Sequence, residues 1–345
     1  MRPQAIALAA QREEVSEMSR ELRDSVVVIT GASSGIGRAT AHALAEHGAS
    51  VVLAARSEQS LREVAKECEA AGGRALAVPT DVSDKEAVQD LARQAAEHFG
   101  RIDVWVNNAG VMAYGYFEQI PDETYRQVIE TNLFGAIYGA RAALPYFREQ
   151  SSGVLINISS LWGRMFSPYV SAYTTSKFGV RTFSESLREA LADEEGIDVC
   201  TILPQSVDTP IFRHAANYSG RDAKPVPPIA DPGRVVRAIL RCIEHPQREV
   251  SVGYVGHLEA IIQETMPGPF NWLAPHVMRW AAFRSEPVAS KPGNVLEPMP
   301  GWNQITGGWR SKRKTILRRA ALLSSSAVAP LFAYWVLRRR RWIQT

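Results

Sequence analysis

Two side chains in this sequence are suited to moving a proton. Tyr173 and Lys177 stand four residues apart in Ser171-Ala-Tyr-Thr-Thr-Ser-Lys177, and on a helix that spacing puts them on one face. A free tyrosine hydroxyl has a pKa of about 10 and is a poor base near neutrality. A neighbouring ammonium favours the phenolate and lowers that value. Ser159 and Ser160 lie upstream, just after the apolar run Val154-Leu-Ile-Asn-Ile158. That run reads as a buried strand, and open α/β sheets bind ligands at the carboxyl ends of their strands. A serine there can hydrogen-bond an oxygen on which charge develops. Taken alone, the same residues also read as a surface Tyr/Lys pair and a serine cap.

The elements that must position these residues follow from periodicity. Apolar runs at 25–30, 50–55, 75–78, 102–106, 154–158, 198–203 and 248–252 predict seven strands. Between them lie helical patterns at 38–47, 57–71, 85–99, 121–147, 172–192 and 232–244, with Gly48, Gly72-Gly73 and Gly100 as C-terminal stops. Strands alternating with helices of this length predict an α/β fold, a doubly wound parallel sheet of about seven strands with a C-terminal extension. The expected organisation is an N-terminal helical extension over 1–24, a catalytic domain over 25–255, an aromatic and Pro-rich extension over 256–309, and a basic tail over 310–345. Residues 211–230 read as a loop or lid. Residues 285–309, rich in Pro and Gly, read as an ordered loop or a linker.

A second motif follows the first predicted strand. Thr30-Gly31-Ala-Ser33-Ser34-Gly35-Ile36-Gly37 falls between a strand and a helix. Glycines there permit a tight turn and a close backbone approach to a pyrophosphate resting on the helix N-terminus. The second strand ends Leu53-Ala-Ala-Arg56, without the carboxylate that would bind a ribose 2′-hydroxyl. Arg56, helped by Arg38, would instead pair with a 2′-phosphate, since a planar guanidinium suits phosphate. This points to NADP(H) in preference to NAD; the alternative for each arginine is a solvated surface charge. Asp81 and Asn107 end the third and fourth strands, so both could face a cofactor, cap a turn or bend the chain.

Together these motifs resemble the short-chain dehydrogenase/reductase family, in its single-domain branch. The matching residues are Thr30–Gly37, Asp81-Val82, Asn107-Asn108-Ala109-Gly110, Asn132, Ser160, Tyr173-x-x-x-Lys177 and Pro204…Thr209, spanning about two thirds of the chain. The resemblance implies a Rossmann fold and hydride transfer between a nicotinamide and a carbonyl or secondary alcohol. It implies Tyr173 as general acid/base and Ser160 as the oxygen-binding serine. Lys177 would also bind the nicotinamide ribose, and Asn132 would hold a water that relays protons to Lys177. Gly31, Ser33, Ser34, Gly35, Ile36, Gly37, Arg38, Arg56, Asp81, Val82, Asn107, Ala109, Gly110, Tyr173, Lys177, Pro204, Val207 and Thr209 would form the cofactor site. One departure is Pro204-Gln205, where the family often has Pro-Gly. A homo-oligomer is also implied, unless the tail covers the usual contacts.

Composition bounds the rest. Three cysteines in 345 residues are too few and scattered for a disulfide framework or a metal cluster, so a reducing, cytoplasmic setting fits. The Ala5–Ala10 run is too short for a signal peptide. Ten of the 39 basic residues lie in Arg310–Thr345, which has no acidic residue, so the rest is net acidic. Uncharged Ala320–Leu337 sits between basic flanks, and three readings are open: a membrane span, a helix on an anionic membrane surface, or a docked helix. No nucleic-acid motif accompanies the charge. Trp162, Met165, Phe166 and Tyr169, between the serine and the tyrosine, predict one apolar wall of a pocket for a lipophilic small molecule. A catalytically silent nucleotide sensor on the same fold is the alternative from another class, although such proteins typically lose the Tyr or the Lys.

Overall fold

A computed structural model of the chain describes residues 22–253, 265, 267–299 and 301–310. The predicted N-terminal extension is therefore described only from Leu22, and the tail beyond Arg310, with its uncharged stretch, lies outside the described residues. Leu22 is buried in the same apolar cluster as Val27 and Ile29, so the core begins ahead of the expected boundary at residue 25.

Seven strands form one sheet: β1 (Val26–Thr30), β2 (Ser50–Ala55), β3 (Arg74–Pro79), β4 (Val104–Asn107), β6 (Gly153–Ile158), β7 (Ile197–Pro204) and β10 (Glu249–Val252). Their order is β3-β2-β1-β4-β6-β7-β10 and every pairing is parallel. Continuous burial of Val26–Thr30 is what a central parallel strand with both faces covered requires. The chain reverses its direction of winding between β1 and β4, which opens a crevice at the carboxyl rim.

Helices cover both faces. They are α1 (Gly35–Glu46), α2 (Glu58–Ala70), α3 (Lys85–Phe99), α4 (Asp122–Ile129), α5 (Gly135–Gln150), α6 (Ser171–Ala190) and α8 (Pro232–Glu244). Their ends follow local chemistry. Asp84 accepts from the backbone N–H groups of Glu86 and Ala87 to start α3, and left-handed Gly100 ends it. Asp231 starts α8 ahead of Pro232. The single helix expected over 121–147 is interrupted: residues Glu130–Phe134 form a π-helical turn carrying Asn132. Such turns are frequent at functional sites.

The region after β7 is more structured than periodicity indicated. It holds α7 (Ile211–His214), β8 (Ala216–Asn217), which pairs with β5 (Ala113–Tyr114), and β9 (Arg221–Ala223). Helix α9 (Pro267–Ala282) includes Pro275, and β11 (Phe283–Pro287) runs antiparallel to β9. The described residues up to Gly307 belong to one compact unit, so 267–299 and 301–307 of the expected 256–309 extension are part of the same unit as the sheet. Among the described residues, no helix is long and apolar enough to cross a membrane.

Helix α5 lies against the sheet through Gly139. A Cβ at that position would stand 2.1 Å from Asn107 Oδ1 and 2.6 Å from Trp105 Nε1, both buried. Gly139→Ala should therefore cost about 1–3 kcal/mol as an overpacked core does, read as a lower urea midpoint at unchanged slope. An unchanged midpoint would show that α5 can slide away from the sheet.

Candidate active site

One cleft runs along the carboxyl rim. It is lined by Gly31, Ser33, Ser34, Gly35, Ile36, Arg56, Asp81, Val82, Ala109, Gly110, Ser160, Tyr173, Lys177, Pro204, Val207 and Thr209, all of them expected site residues. Gly37, Arg38, Asn107 and Asn132 do not line it.

Each absence has a local cause. A Cβ on Gly37 would lie 2.3 Å from the Gly31 carbonyl, so this glycine packs the turn on itself. Arg38 sits in the first turn of α1 and reaches sideways, pairing with Glu67 of α2 and donating to the Asn303 carbonyl. Asn107 points into the sheet face: its Oδ1 accepts from Trp105 Nε1 at 2.8 Å, and its Nδ2 donates to the Ala136 carbonyl and to Asn157 Oδ1. The neighbour Asn108 does line the cleft, and its Nδ2 donates to the Thr30 and Gly31 carbonyls, tying β4 to the glycine turn. Alternation along β4 carries this signal, because Asn107 shares a face with the buried Trp105.

Asn132 works from behind the rim. Its Oδ1 accepts from the Val111 N–H at 2.7 Å, and its Nδ2 donates to the Val111 carbonyl and to Ser176 Oγ. A Cβ on Gly110 would stand 3.4 Å from Asn132 Oδ1 and 3.6 Å from Lys177 Nζ, so both side chains converge behind Gly110.

The two serines separate clearly. Ser159 Oγ donates to the Lys177 carbonyl and is buried, a strut between β6 and α6. Ser160 Oγ accepts from the Trp162 N–H and hydrogen-bonds the Tyr173 hydroxyl. Tyr173 and Lys177 lie in the first two turns of α6 and are both buried. Lys177 Nζ donates to the Ile158 carbonyl at 2.8 Å and stands 5.7 Å from the centre of the Tyr173 ring. Burial pushes the phenol up to about 12, against the pull of the Ser160 hydrogen bond, and pushes the ammonium down to about 8. The expected lowering of the Tyr173 pKa is thus outweighed by burial, because desolvation penalises both charged forms.

The nucleotide end is built for an anion. Ser34 starts α1 without a side-chain cap, and no acidic residue lies in its first turn, so the positive end of the helix is not neutralised locally. Gly31 has φ +68° and Gly35 φ +56°, and a Cβ on Gly31 would stand 2.8 Å from Ala109 Cα. Arg56 lines the cleft, has no carboxylate at ion-pair distance among the described residues, and is depressed in pKa by burial, with Asp81 opposing. Asp81 Oδ1 accepts from the N–H and hydroxyl of Ser83, which fixes its loop.

The other end is apolar. Val111, Met112, Leu161, Trp162, Ile211 and Phe212 line it, and Val226 extends it. Of the wall expected between serine and tyrosine, Trp162 faces the cleft, edge-on to Tyr173. Phe166 instead stacks on Phe178 at the surface, and Tyr169 packs against Tyr116 and Phe283. His214, Val226, Met299 and Asn303 are lining residues that no sequence motif marked. Among the described residues no cluster of His, Cys, Asp or Glu could hold a metal ion.

The comparisons agree with this fold. Residues 25–218 match the short chain dehydrogenase family. An uncharacterized oxidoreductase of Bacillus subtilis (strain 168), YxnA, is 34% identical over 337 residues, covering 93% of each chain. An uncharacterized oxidoreductase of Staphylococcus aureus (strain MRSA252) is 38% identical, covering 66% of this chain and 94% of its own. Two solved structures share the fold. A short-chain type dehydrogenase/reductase from Mycobacterium marinum has TM-score 0.58 and 26% identity, covering 66% of this chain and 93% of its own. A short chain dehydrogenase from Mycobacterium paratuberculosis bound to NAD has TM-score 0.60 and 24% identity, covering 67% and 97%. The chain belongs to the short-chain dehydrogenase/reductase family of oxidoreductases. Its likeness to the Bacillus protein also runs well past the family core.

The departure at Gln205 is accommodated by a second glycine. Gln205 Nε2 donates to the Pro228 carbonyl, and a Cβ on Gly253 would stand 2.0 Å from Gln205 Oε1. Gly253→Ala should lower stability by about 1–3 kcal/mol, and adding Gln205→Gly should recover most of that loss in a double-mutant cycle. Strict additivity in thermal or urea unfolding would show that the two positions do not interact.

Proposed function

We propose that this protein is an NADP(H)-dependent oxidoreductase that interconverts a carbonyl and a secondary alcohol on a lipophilic small molecule. The observation that carries this reading is the meeting of Ser160, Tyr173 and Lys177 on one cleft that also takes in the glycine turn and the N-terminus of α1, where Ser34 makes no side-chain cap. The residues present fit a dinucleotide: the glycine turn leaves room for close backbone approach, and Arg56 offers a cation at the end of β2. When bound, the nicotinamide supplies the hydride.

The chain's own residues do the rest. Ser160 holds the substrate oxygen beside Tyr173. With its pKa near 12 the Tyr173 phenol is protonated at neutrality, so it is ready to donate to an oxygen that gains charge. Lys177, fixed by the Ile158 carbonyl, places its ammonium behind the ring and toward the ribose side of the cleft. Asn132 keeps the loop at Gly110 and Val111 in register with α6, and so acts as a positioning residue. The preference for NADP(H) rests on Arg56, because Arg38 is already paired with Glu67. Met112, Trp162 and Phe212 favour an apolar substrate body.

Substitutions at Tyr173, the two serines and Arg56 test this reading. With a panel of aromatic and long-chain aliphatic ketones and aldehydes, Tyr173→Phe should lower kcat by about 10³-fold or more, since it removes the transferable proton from a residue acting in the transition state. Reduced dinucleotide should still bind, as seen by fluorescence titration. Ser159→Ala should fall mainly in stability and Ser160→Ala mainly in kcat; near-wild-type turnover in Tyr173→Phe would sink the assignment. For the cofactor, Arg56→Ala should weaken NADPH at least tenfold more than NADH, and equal losses would favour NAD.

The pH dependence follows from Lys177. A group with pKa about 8 is cationic below that pH and neutral above it. Reduction measured as kcat/KM should therefore decline above about pH 8, while Tyr173 stays protonated to about pH 12. A profile flat from pH 6 to 10 would show that the ammonium is not required.

A further inference from the structure

Residues 294–299 and 301–307 lie beyond the family core, yet they hold both banks of the cleft. Asn294, Pro298, Met299 and Asn303 line it. On one bank, the Arg56 guanidinium donates to the carbonyls of Asn294, Val295 (3.3 Å) and Leu296 (3.0 Å). The Gly35 N–H, at the start of α1, donates to the Gln304 carbonyl at 3.0 Å. Arg38 donates to the Asn303 carbonyl, and Asn303 Nδ2 donates to Ser60 Oγ at 2.8 Å. On the other bank, the Gly307 N–H donates to Asp208 Oδ1 at 3.1 Å, and Arg213 Nε donates to the Gly307 carbonyl at 2.8 Å. The Arg213 guanidinium also lies 3.9 Å over the Trp302 ring, and His214 Nε2 is 3.2 Å from the Gly301 carbonyl.

The position of this strap is specific. It rests on the end of β2 and on the N-terminus of α1, the two features that receive the adenosine and phosphate half of a dinucleotide in a doubly wound sheet. It bridges from there to the loop after β7. Anything seated between Gly35 and Arg56 lies against the strap, and its exit on that side requires these hydrogen bonds to open. Its grip on Arg56 is through neutral carbonyls, so the strap itself places no carboxylate against that guanidinium.

We propose that Asn294–Met299 and Gly301–Gly307 are a cofactor-binding latch: they complete the adenosine end of the cleft and set the rate at which the dinucleotide exchanges. This rests on the dinucleotide reading above. Asn303 and Trp302 are its side-chain fastenings, to Ser60 and Arg213, and Arg56 couples the latch to the ligand. Lids that open on demand commonly set how fast an enzyme releases its ligand.

The test locks and unlocks the strap in the full-length protein. Ser60→Cys with Asn303→Cys replaces a 2.8 Å hydrogen-bonded pair, and closure of the disulfide is verified by thiol titration. Stopped-flow fluorescence then follows release of bound NADPH into excess NADP⁺. The oxidised protein should release NADPH at least tenfold more slowly than the same protein after reduction, and Trp302→Ala should release it severalfold faster than wild type. Equal rates in oxidised and reduced forms overturn the latch. If the disulfide does not close, Trp302→Ala decides: an unchanged release rate, with protease cleavage within 294–307 increased, also overturns it. Failure of the wild-type protein to bind any dinucleotide is a separate result, and refutes the cofactor reading on which the latch stands.

Discussion

Seven strands running the same way leave all their carboxyl ends on one rim, and every feature of the site depends on that constraint. A strand buried on both faces has no room for polar side chains except at its ends, so polar residues collect where strands stop. Thr30, Asp81, Asn108 and Ser160 come from four different chain segments and meet there because the sheet is parallel. The helices then bring their N-termini to the same rim. Thus α1 offers its N-terminus, and α6 offers Tyr173 and Lys177 from its first two turns.

Burial gives this rim its chemistry. The same desolvation moves the phenol and the ammonium in opposite directions, toward each other, so each is shifted toward its neutral form. The Ile158 carbonyl partly offsets the cost of a buried ammonium, and Ser160 favours the phenolate. A charged ligand in the cleft would change that balance strongly, because interactions in a dry cleft are screened less than in water.

Much of this was legible in the sequence. The strands at 50–55 and the helices at 85–99 and 232–244 fall where periodicity predicts them, since their caps and apolar spacing are local signals. The residues that departed did so through non-local contacts. Nearness to the glycine turn suggests that Arg38 helps Arg56 hold a phosphate, but Glu67, twenty-nine residues away, holds it. Asn107 was placed on the rim by its position at a strand end, but Trp105, Asn157 and Gly139 claim it. The 294–307 strap was illegible for another reason. Its fastenings are mainly backbone carbonyls, which any residue supplies, so neither periodicity nor residue type betrays them.

The central claim is that the Ser160–Tyr173–Lys177 rim receives a substrate carbon next to a nicotinamide. It is tested most directly by following the hydride itself. In a single turnover with excess enzyme, NADPH labelled with deuterium on either one of the two faces of its C4 carbon is mixed with a reducible lipophilic ketone, and the alcohol is examined by mass spectrometry and NMR. The account predicts transfer of deuterium from only one of the two labelled forms, onto the carbinol carbon. Alcohol formed without label from either form, or label passing equally from both, would contradict it.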